Sequence, residues 1–159
     1  MAKAARPVPQ GYHTVTPHLT LDDAAKSIEW YKKAFGAEEL SRSLGPDGKI
    51  MHAEIRIGDS RVMMNDVMMG KGPREFGGSP AGFWIFVDNC DTLFDRAVKA
   101  GATVQMPIAD QFWGDRGGAV ADPAGYTWWI ATRKEDLTPA ELQQRAAEFF
   151  KQQAHATSR

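Results

Sequence analysis

Residues 19–36 read LTLDDAAKSIEWYKKAFG and residues 85–102 read IFVDNCDTLFDRAVKAGA. Each stretch opens on a short apolar run, passes aspartate into a helical segment, and stops at a glycine followed by alanine. The punctuation continues downstream, with Ile57-Gly-Asp-Ser60 in the first half and Asp122-Pro-Ala-Gly125 in the second, each leading into another apolar run. Gly36 and Gly101 lie 65 positions apart, and Asp59 and Gly125 lie 66 apart. Matching punctuation at one offset marks a duplication, although residue identity between the halves is low.

Outward from this pair, each half reads as strand, helix, then three strands. In the first, Val15, Pro17, Leu19 and Leu21 alternate with Thr14, Thr16, His18 and Thr20, a strand period of two. Asp22 or Asp23 caps a helix on which Ala24, Ile28, Tyr31 and Phe35 share one face, and Gly36 stops it. A strand near 38–44 reaches the turn Gly45-Pro-Asp-Gly48, after which Met51, Ala53, Ile55 and Ile57 alternate with His52, Glu54 and Arg56. Gly58-Asp59 turns the chain into residues 61–65. The second half predicts strands at 83–87, 103–107, 117–121 and 126–132 and a helix over 91–100.

The expected organisation is a flexible lead at 1–10, a first βαβββ module at 11–66, a Gly/Pro-rich linker at 67–81, a second module at 82–133, and a C-terminal amphipathic helix and tail at 134–159. Met68 and Met69 in the linker read either as an apolar lip over a pocket or as local packing. Thr138-Pro-Ala-Glu141 has capping-box spacing with proline at the first helical position, so the last helix starts there and runs to about Gln153. The fold class is α+β: two repeated βαβββ modules forming a curved mixed sheet around a cleft, plus the C-terminal helix.

Composition narrows the function classes. The 159 residues are 43% hydrophobic and 25% charged, with a net charge of −1 and a pI near 6.4. That balance supplies no basic field for nucleic acid or an anionic membrane, and no apolar run reaches the roughly 20 residues of a spanning helix. The lead carries Lys3, Arg6, Pro7 and Pro9 without the apolar core of a signal peptide. The single cysteine, Cys90, leaves no internal disulfide framework and fits a reducing cytoplasm.

Alternation sorts the strands into two faces. Opposite the helix side, the first module presents Thr14, Thr16, His18 and Thr20 with His52, Glu54 and Arg56. The repeat puts Gly82, Trp84 and Phe86 in the places of Thr16, His18 and Thr20, and two large aromatics do not favour open water. A face polar in one half and aromatic in the other suits a concave pocket. Adjacent Trp128 and Trp129 must point to opposite faces, one toward the helices and one toward the pocket. Asp115 and Arg116, beside Trp113, either hold their Gly-rich loop by an ion pair or approach the pocket rim.

Leu19–Gly36, Met51–Ser60 (MHAEIRIGDS), Ala100–Thr103 (AGAT), and Gln111–Arg116 with Asp122–Gly125 (QFWGDR and DPAG) resemble the vicinal oxygen chelate superfamily of glyoxalases, bleomycin-resistance proteins and dioxygenases, and within it the PhnB-like branch. The resemblance covers about residues 12–135. It speaks to fold more than to reaction, because the superfamily includes isomerases, dioxygenases, thiol transferases and drug-sequestering proteins. It implies one divalent metal held from the first and last strands of each module, positions that here are Thr16, Met63, Gly82 and Trp129. None is a good ligand for a hard or borderline ion, so no cofactor is expected at the usual site. A displaced site of His18, His52 and Glu54 for one Zn, Fe, Mn or Ni ion is the alternative. The resemblance also implies a homodimer, since modules of this fold complete their cups by pairing within or between chains.

Two functions from different classes follow. One is a metal-free binding protein that holds a planar or aromatic metabolite or antibiotic against Thr16, His18, Arg56, Met63, Trp84, Phe86, Trp113, Arg116 and Trp129. The other is a lyase, isomerase or dioxygenase using a displaced metal or acid–base chemistry by Glu54 and His52. A third reading is an interaction module whose pocket is filled by its own side chains.

Overall fold

The computed structural model describes residues 7–68 and 71–157. Met69 of the expected apolar lip, residues 1–6 of the lead and the last two residues lie outside them; Met68 is exposed. The first module consists of β1 (His18–Leu21), α1 (Ala24–Phe35), β2 (Glu38–Leu44), β3 (Ile50–Ile57) and β4 (Ser60–Asp66). The second consists of β5 (Gly82–Phe86), α2 (Cys90–Lys99), β6 (Thr103–Asp110), β7 (Asp115–Ala121) and β8 (Thr127–Arg133), followed by α3 (Pro139–Thr157). Each module forms a four-stranded mixed sheet, ordered β1-β4-β3-β2 and β5-β8-β7-β6, with β1 and β5 parallel to their neighbours. This is the expected α+β architecture of two repeated modules, built as two sheets that are not joined edge to edge.

Local chemistry sets the element ends. Asp23 caps α1 by accepting from the Lys26 amide at 2.9 Å, and Asn89 caps α2 through the Thr92 amide at 3.0 Å. Gly36 ends α1 at φ 69°, a left-handed conformation that any Cβ would strain. At the start of α3, the Thr138 hydroxyl accepts from the Glu141 amide while the Glu141 carboxylate accepts from the Thr138 amide, the reciprocal pair expected from the sequence.

The first strand is shorter than its alternation suggests. Pairing with β4 begins at His18, opposite Met63, so residues 14–17 precede the strand and Val15 is 84% exposed rather than packed on the helix. In the second module, β6 and β7 extend beyond their expected ends, to Asp110 and back to Asp115.

Leu19, Leu21, Ile55, Met64, Val120, Trp128 and Ile130 bury one face of each sheet against α1 and α2, and the modules meet through those two helices. At the joint, Asp122 is 5% exposed and accepts four hydrogen bonds: from the Tyr31 hydroxyl (2.6 Å), the Trp128 indole (2.8 Å) and the amides of Ala124 and Tyr126 (2.9 Å each). Burial and the Asp122 carboxylate hold the Tyr31 phenol protonated well above the usual tyrosine range. Trp30 donates across the joint to the Ala100 carbonyl at 2.9 Å, and Arg96 to the Lys33 carbonyl at 2.6 Å. Among its described residues the linker contains one 3-10 turn, Pro73–Phe76, whose Arg74 reaches the Pro123 carbonyl.

Candidate functional site

The sheet faces turned away from the helices carry the candidate chemistry. Strand register makes the modules superposable in sequence: His18 lies opposite Met63, and Trp84 lies opposite Trp129, so residues 66 positions apart are equivalent. His18 and Thr20 thus take the places of Trp84 and Phe86, and Met63 that of Trp129.

In the first module the centre of this face is Glu54, opposite Met63 on β4. Its Oε1 lies 3.2 Å from His52 Nε2, and its Oε2 accepts from Arg61 Nη1 at 3.1 Å and from the Tyr12 hydroxyl. An ionised carboxylate only accepts, so this contact assigns the proton to His52 Nε2. The Arg61 guanidinium also lies over the Tyr12 ring, 4.5 Å from its centroid. The Tyr12 hydroxyl, opposed by partial burial and helped by His52 and Arg61, holds the Glu54 carboxyl below its usual range. Tyr12 is shifted the other way, by burial first and then by Glu54, and stays protonated. Both oxygens of Glu54 are therefore occupied and the group is kept ionised, an arrangement suited to polar recognition more than to taking up a proton.

In the second module the equivalent face is an aromatic ladder. Trp84 and Trp129 stack with centroids 4.8 Å apart and planes 6° from parallel, and Phe86 stacks on Trp84 at 5.8 Å. Trp113 meets both indoles edge-on, at 6.3 and 6.1 Å, and its own indole donates to Asp115 at 3.0 Å. Beyond Trp113, Phe112 packs on Phe149 of α3 at 4.9 Å, so the C-terminal helix borders the aromatic face. Gly117 and Ala119 of β7 stand opposite Ala131 and Trp129, leaving room for the large rings. Trp84 is 45% and Phe86 60% exposed, whereas Trp128 points to the core at 3%. The two tryptophans of β8 thus face opposite ways, as their adjacency requires.

Several other expected site residues lie outside the Glu54 cluster and the aromatic ladder. Arg56 forms an ion pair with Glu38 across the β2–β3 ladder and does not join Glu54. Arg116 clasps Asp91 at the start of α2 with two hydrogen bonds, 2.9 and 2.7 Å, and reaches Asp110 at 3.2 Å. Asp115 pairs with Arg133 at 3.0 Å, so Asp115 and Arg116 each hold the region through an ion pair, the first of the two alternatives, but with different partners. Thr16 precedes β1 and lines a cavity between the modules. His18 is exposed at the start of β1.

The metal alternatives fare poorly on donor chemistry. Of the four positions implied by the family resemblance, Gly82 has no side chain, Thr16 and Met63 offer poor donors, and the Trp129 indole is stacked on Trp84. The displaced set does not assemble either: among the described residues, no three His, Cys, Asp or Glu side chains come together as a metal site. Of the alternative set, His52 and Glu54 are in contact at 3.2 Å and His18 does not join them.

Sequence reasoning missed Tyr12 and Arg61. Arg61 shares the period-two face of Met63 and Asn65 and was detectable by alternation. Tyr12 lies before the first strand, in a turn closed by its amide on the Pro9 carbonyl at 3.2 Å, and no periodicity marks it.

Comparison with known proteins agrees with this geometry. Residues 12–130 match the family model of the Glyoxalase/Bleomycin resistance protein/Dioxygenase superfamily. The uncharacterized protein Rv0887c of Mycobacterium tuberculosis is 44% identical over 135 residues, covering 81% of this chain and 79% of that protein. Among solved structures, TioX from Micromonospora sp. ML1 is similar with a TM-score of 0.61 and 26% identity, over 79% of this chain and all (100%) of that one. The PhnB protein of Bacillus cereus shares the fold, with a TM-score of 0.60 at 17% identity over 76% of this chain and 99% of that one.

Proposed function

The chain belongs to the Glyoxalase/Bleomycin resistance protein/Dioxygenase superfamily, and on that premise we propose that it binds a small planar or aromatic molecule without the usual family metal. The observation that carries this reading is the exposed Phe86–Trp84–Trp129 ladder, an aromatic surface placed where a metal-binding member would need ligands. A planar ligand extends the ladder by stacking, and the Glu54, His52, Arg61 and Tyr12 cluster supplies directional contacts to its polar edge. A metabolite or an antibiotic held by sequestration fits equally. The sequence QFWGDR and DPAG, together with the shared fold, supports placement in the PhnB-like branch.

The Glu54 cluster and the aromatic ladder belong to two sheets that do not pair edge to edge in one chain, and of that cluster only Arg61 reaches the cavity that Trp84 and Phe86 also line. This favours a homodimer in which the first module of one copy completes the cup with the second module of the other. No helix among the described residues is long and apolar enough to cross a membrane; a cytoplasmic location remains the reading from Cys90.

The test is tryptophan quenching on titration with planar compounds such as acridines. Saturable quenching by the wild type, weakened about tenfold or more in Trp84→Ala, is expected for the loss of about 1.4 kcal/mol of stacking. Equal affinity in Trp84→Ala removes the ladder as the binding surface. Acid–base catalysis by Glu54 is the competing reading; it requires Glu54→Gln to abolish turnover of a bound compound while retaining its binding.

A further inference from the structure

We propose that the joint between the two modules is a second binding site, bordering the aromatic face at Trp84 and Phe86 and extending away from Trp113 and Trp129, and that its ligand carries a phenol. The repeat itself supplies the argument. With residues 66 apart equivalent, Thr20 corresponds to Phe86, Pro17 to Phe83, Val62 to Trp128, and Ser60 to Tyr126.

At one end of the joint the chain fills its own seam. Tyr126 is buried, with its ring 6.1 Å from Phe83 and its hydroxyl donating to the Thr20 carbonyl at 3.1 Å. That carbonyl is available because β1 bonds β4 through alternate residues: the Met63 amide donates to Pro17 and the Val67 amide to Leu21, which turns Thr20 outward from the sheet edge.

At the other end the same geometry lacks its plug. The Val87 amide donates to the Ala131 carbonyl, so by the same alternation the backbone of Phe86 faces away from β8. The residue equivalent to Tyr126 is Ser60, whose short hydroxyl donates to Asp59 at 2.9 Å. Among the described residues, no side chain donates to the Phe86 carbonyl. The space is a cavity of about 420 Å³, lined by Pro17, Val62, Phe83, Leu93 and Trp128 and bordered by Trp84 and Phe86 of the ladder. His13, Thr16, Asp59 and Arg61 stand among its polar lining residues.

This volume lies within the range of small-molecule sites, and its walls are apolar apart from the edge carbonyl and that polar group. An aromatic ring satisfies the walls, and only a donor satisfies the carbonyl. A hydroxyl para to the ring's substituent repeats what Tyr126 does in the other half, while the volume beyond the ring admits that substituent.

The test uses p-cresol, the side-chain analogue of tyrosine, on the full-length protein. Saturable chemical-shift changes at the methyls of Val62 and Leu93, with transfer contacts to those methyls, are expected. Ser60→Tyr should supply the missing ring, raise the melting temperature and abolish those changes. 4-Methylanisole, which lacks the donor, should bind about fivefold or more weakly than p-cresol. The proposal is overturned if p-cresol contacts Trp113 and Trp129 and not the Val62 and Leu93 methyls, if Ser60→Tyr folds and still binds it at wild-type affinity, or if 4-methylanisole binds equally well. Should Ser60→Tyr fail to fold, the methyl contacts and the anisole comparison on the wild type decide the matter.

Discussion

Asparagine at position 122 tests the pin that joins the modules. The Asp122 carboxylate has four donors around it and no acceptor, so the amide that replaces it can satisfy only one side. If its oxygen keeps the Ala124 and Tyr126 amides, its NH2 group faces the Tyr31 hydroxyl and the Trp128 indole. Tyr31 can rotate its proton and accept, exchanging a charge-assisted bond for a neutral one. Trp128 cannot, because the indole only donates. Losing the charge assistance costs about 1–2 kcal/mol, and orphaning a buried N–H costs about 1–3 kcal/mol. The expected loss is thus about 2–5 kcal/mol, a large part of the roughly 5–15 kcal/mol that stabilises a domain. Urea unfolding followed by near-UV circular dichroism measures it. Tyr31→Phe should cost less than Asp122→Asn, since Trp128 keeps its acceptor. An Asp122→Asn loss under about 1 kcal/mol would refute the assignment of Asp122 as a four-donor hub.

Tyr12→Phe removes the hydroxyl that contributes most to ionising Glu54, so the Glu54 carboxyl should titrate at higher pH; carbon NMR of the side chain reads this directly, and an unmoved titration would discount Tyr12. The Glu54 carboxyl is depressed in the folded state, so its stabilisation is present above the ordinary glutamate value of about 4.3 and is lost as pH falls through the folded value. The stability difference between wild type and Glu54→Gln should accordingly shrink on acidification in urea melts, and a constant difference would contradict the shift. Gly11→Ala places a side chain at φ 80° with its Cβ 3.1 Å from the Arg61 guanidinium; a loss of about 1–2 kcal/mol and a weaker near-UV signal from Tyr12 are expected. Mixing Glu54→Gln with Trp84→Ala subunits should restore one intact site per heterodimer if the cup is shared between copies, whereas binding that stays impaired places each site within one chain.

The repeat was readable because its marks are local: Asp23, Gly36, Gly58 and Gly125 declare caps and turns without help from distant contacts. Trp128 and Trp129 were readable for the same reason, since adjacent strand residues must diverge. The extent of β1 was not, because Thr14 and Thr16 continue an alternation that β4 does not pair. Arg56 and Arg61 are register partners on one face, and only the position of Glu38 on the neighbouring strand decides that Arg61 serves Glu54. Arg116 pairs with Asp91, 25 residues away, a choice made by the packing of α2 on β7. The empty joint became visible only when strand register aligned Ser60 with Tyr126.

The most direct measurement is calorimetric titration of the purified protein with a planar acridine, before and after exhaustive dialysis against a chelator, alongside elemental analysis for bound metal. Binding of equal affinity in both preparations, lost or weakened about tenfold in Trp84→Ala, is the predicted result. Binding that disappears with the chelator and returns with one equivalent of a divalent ion would contradict a metal-free aromatic site.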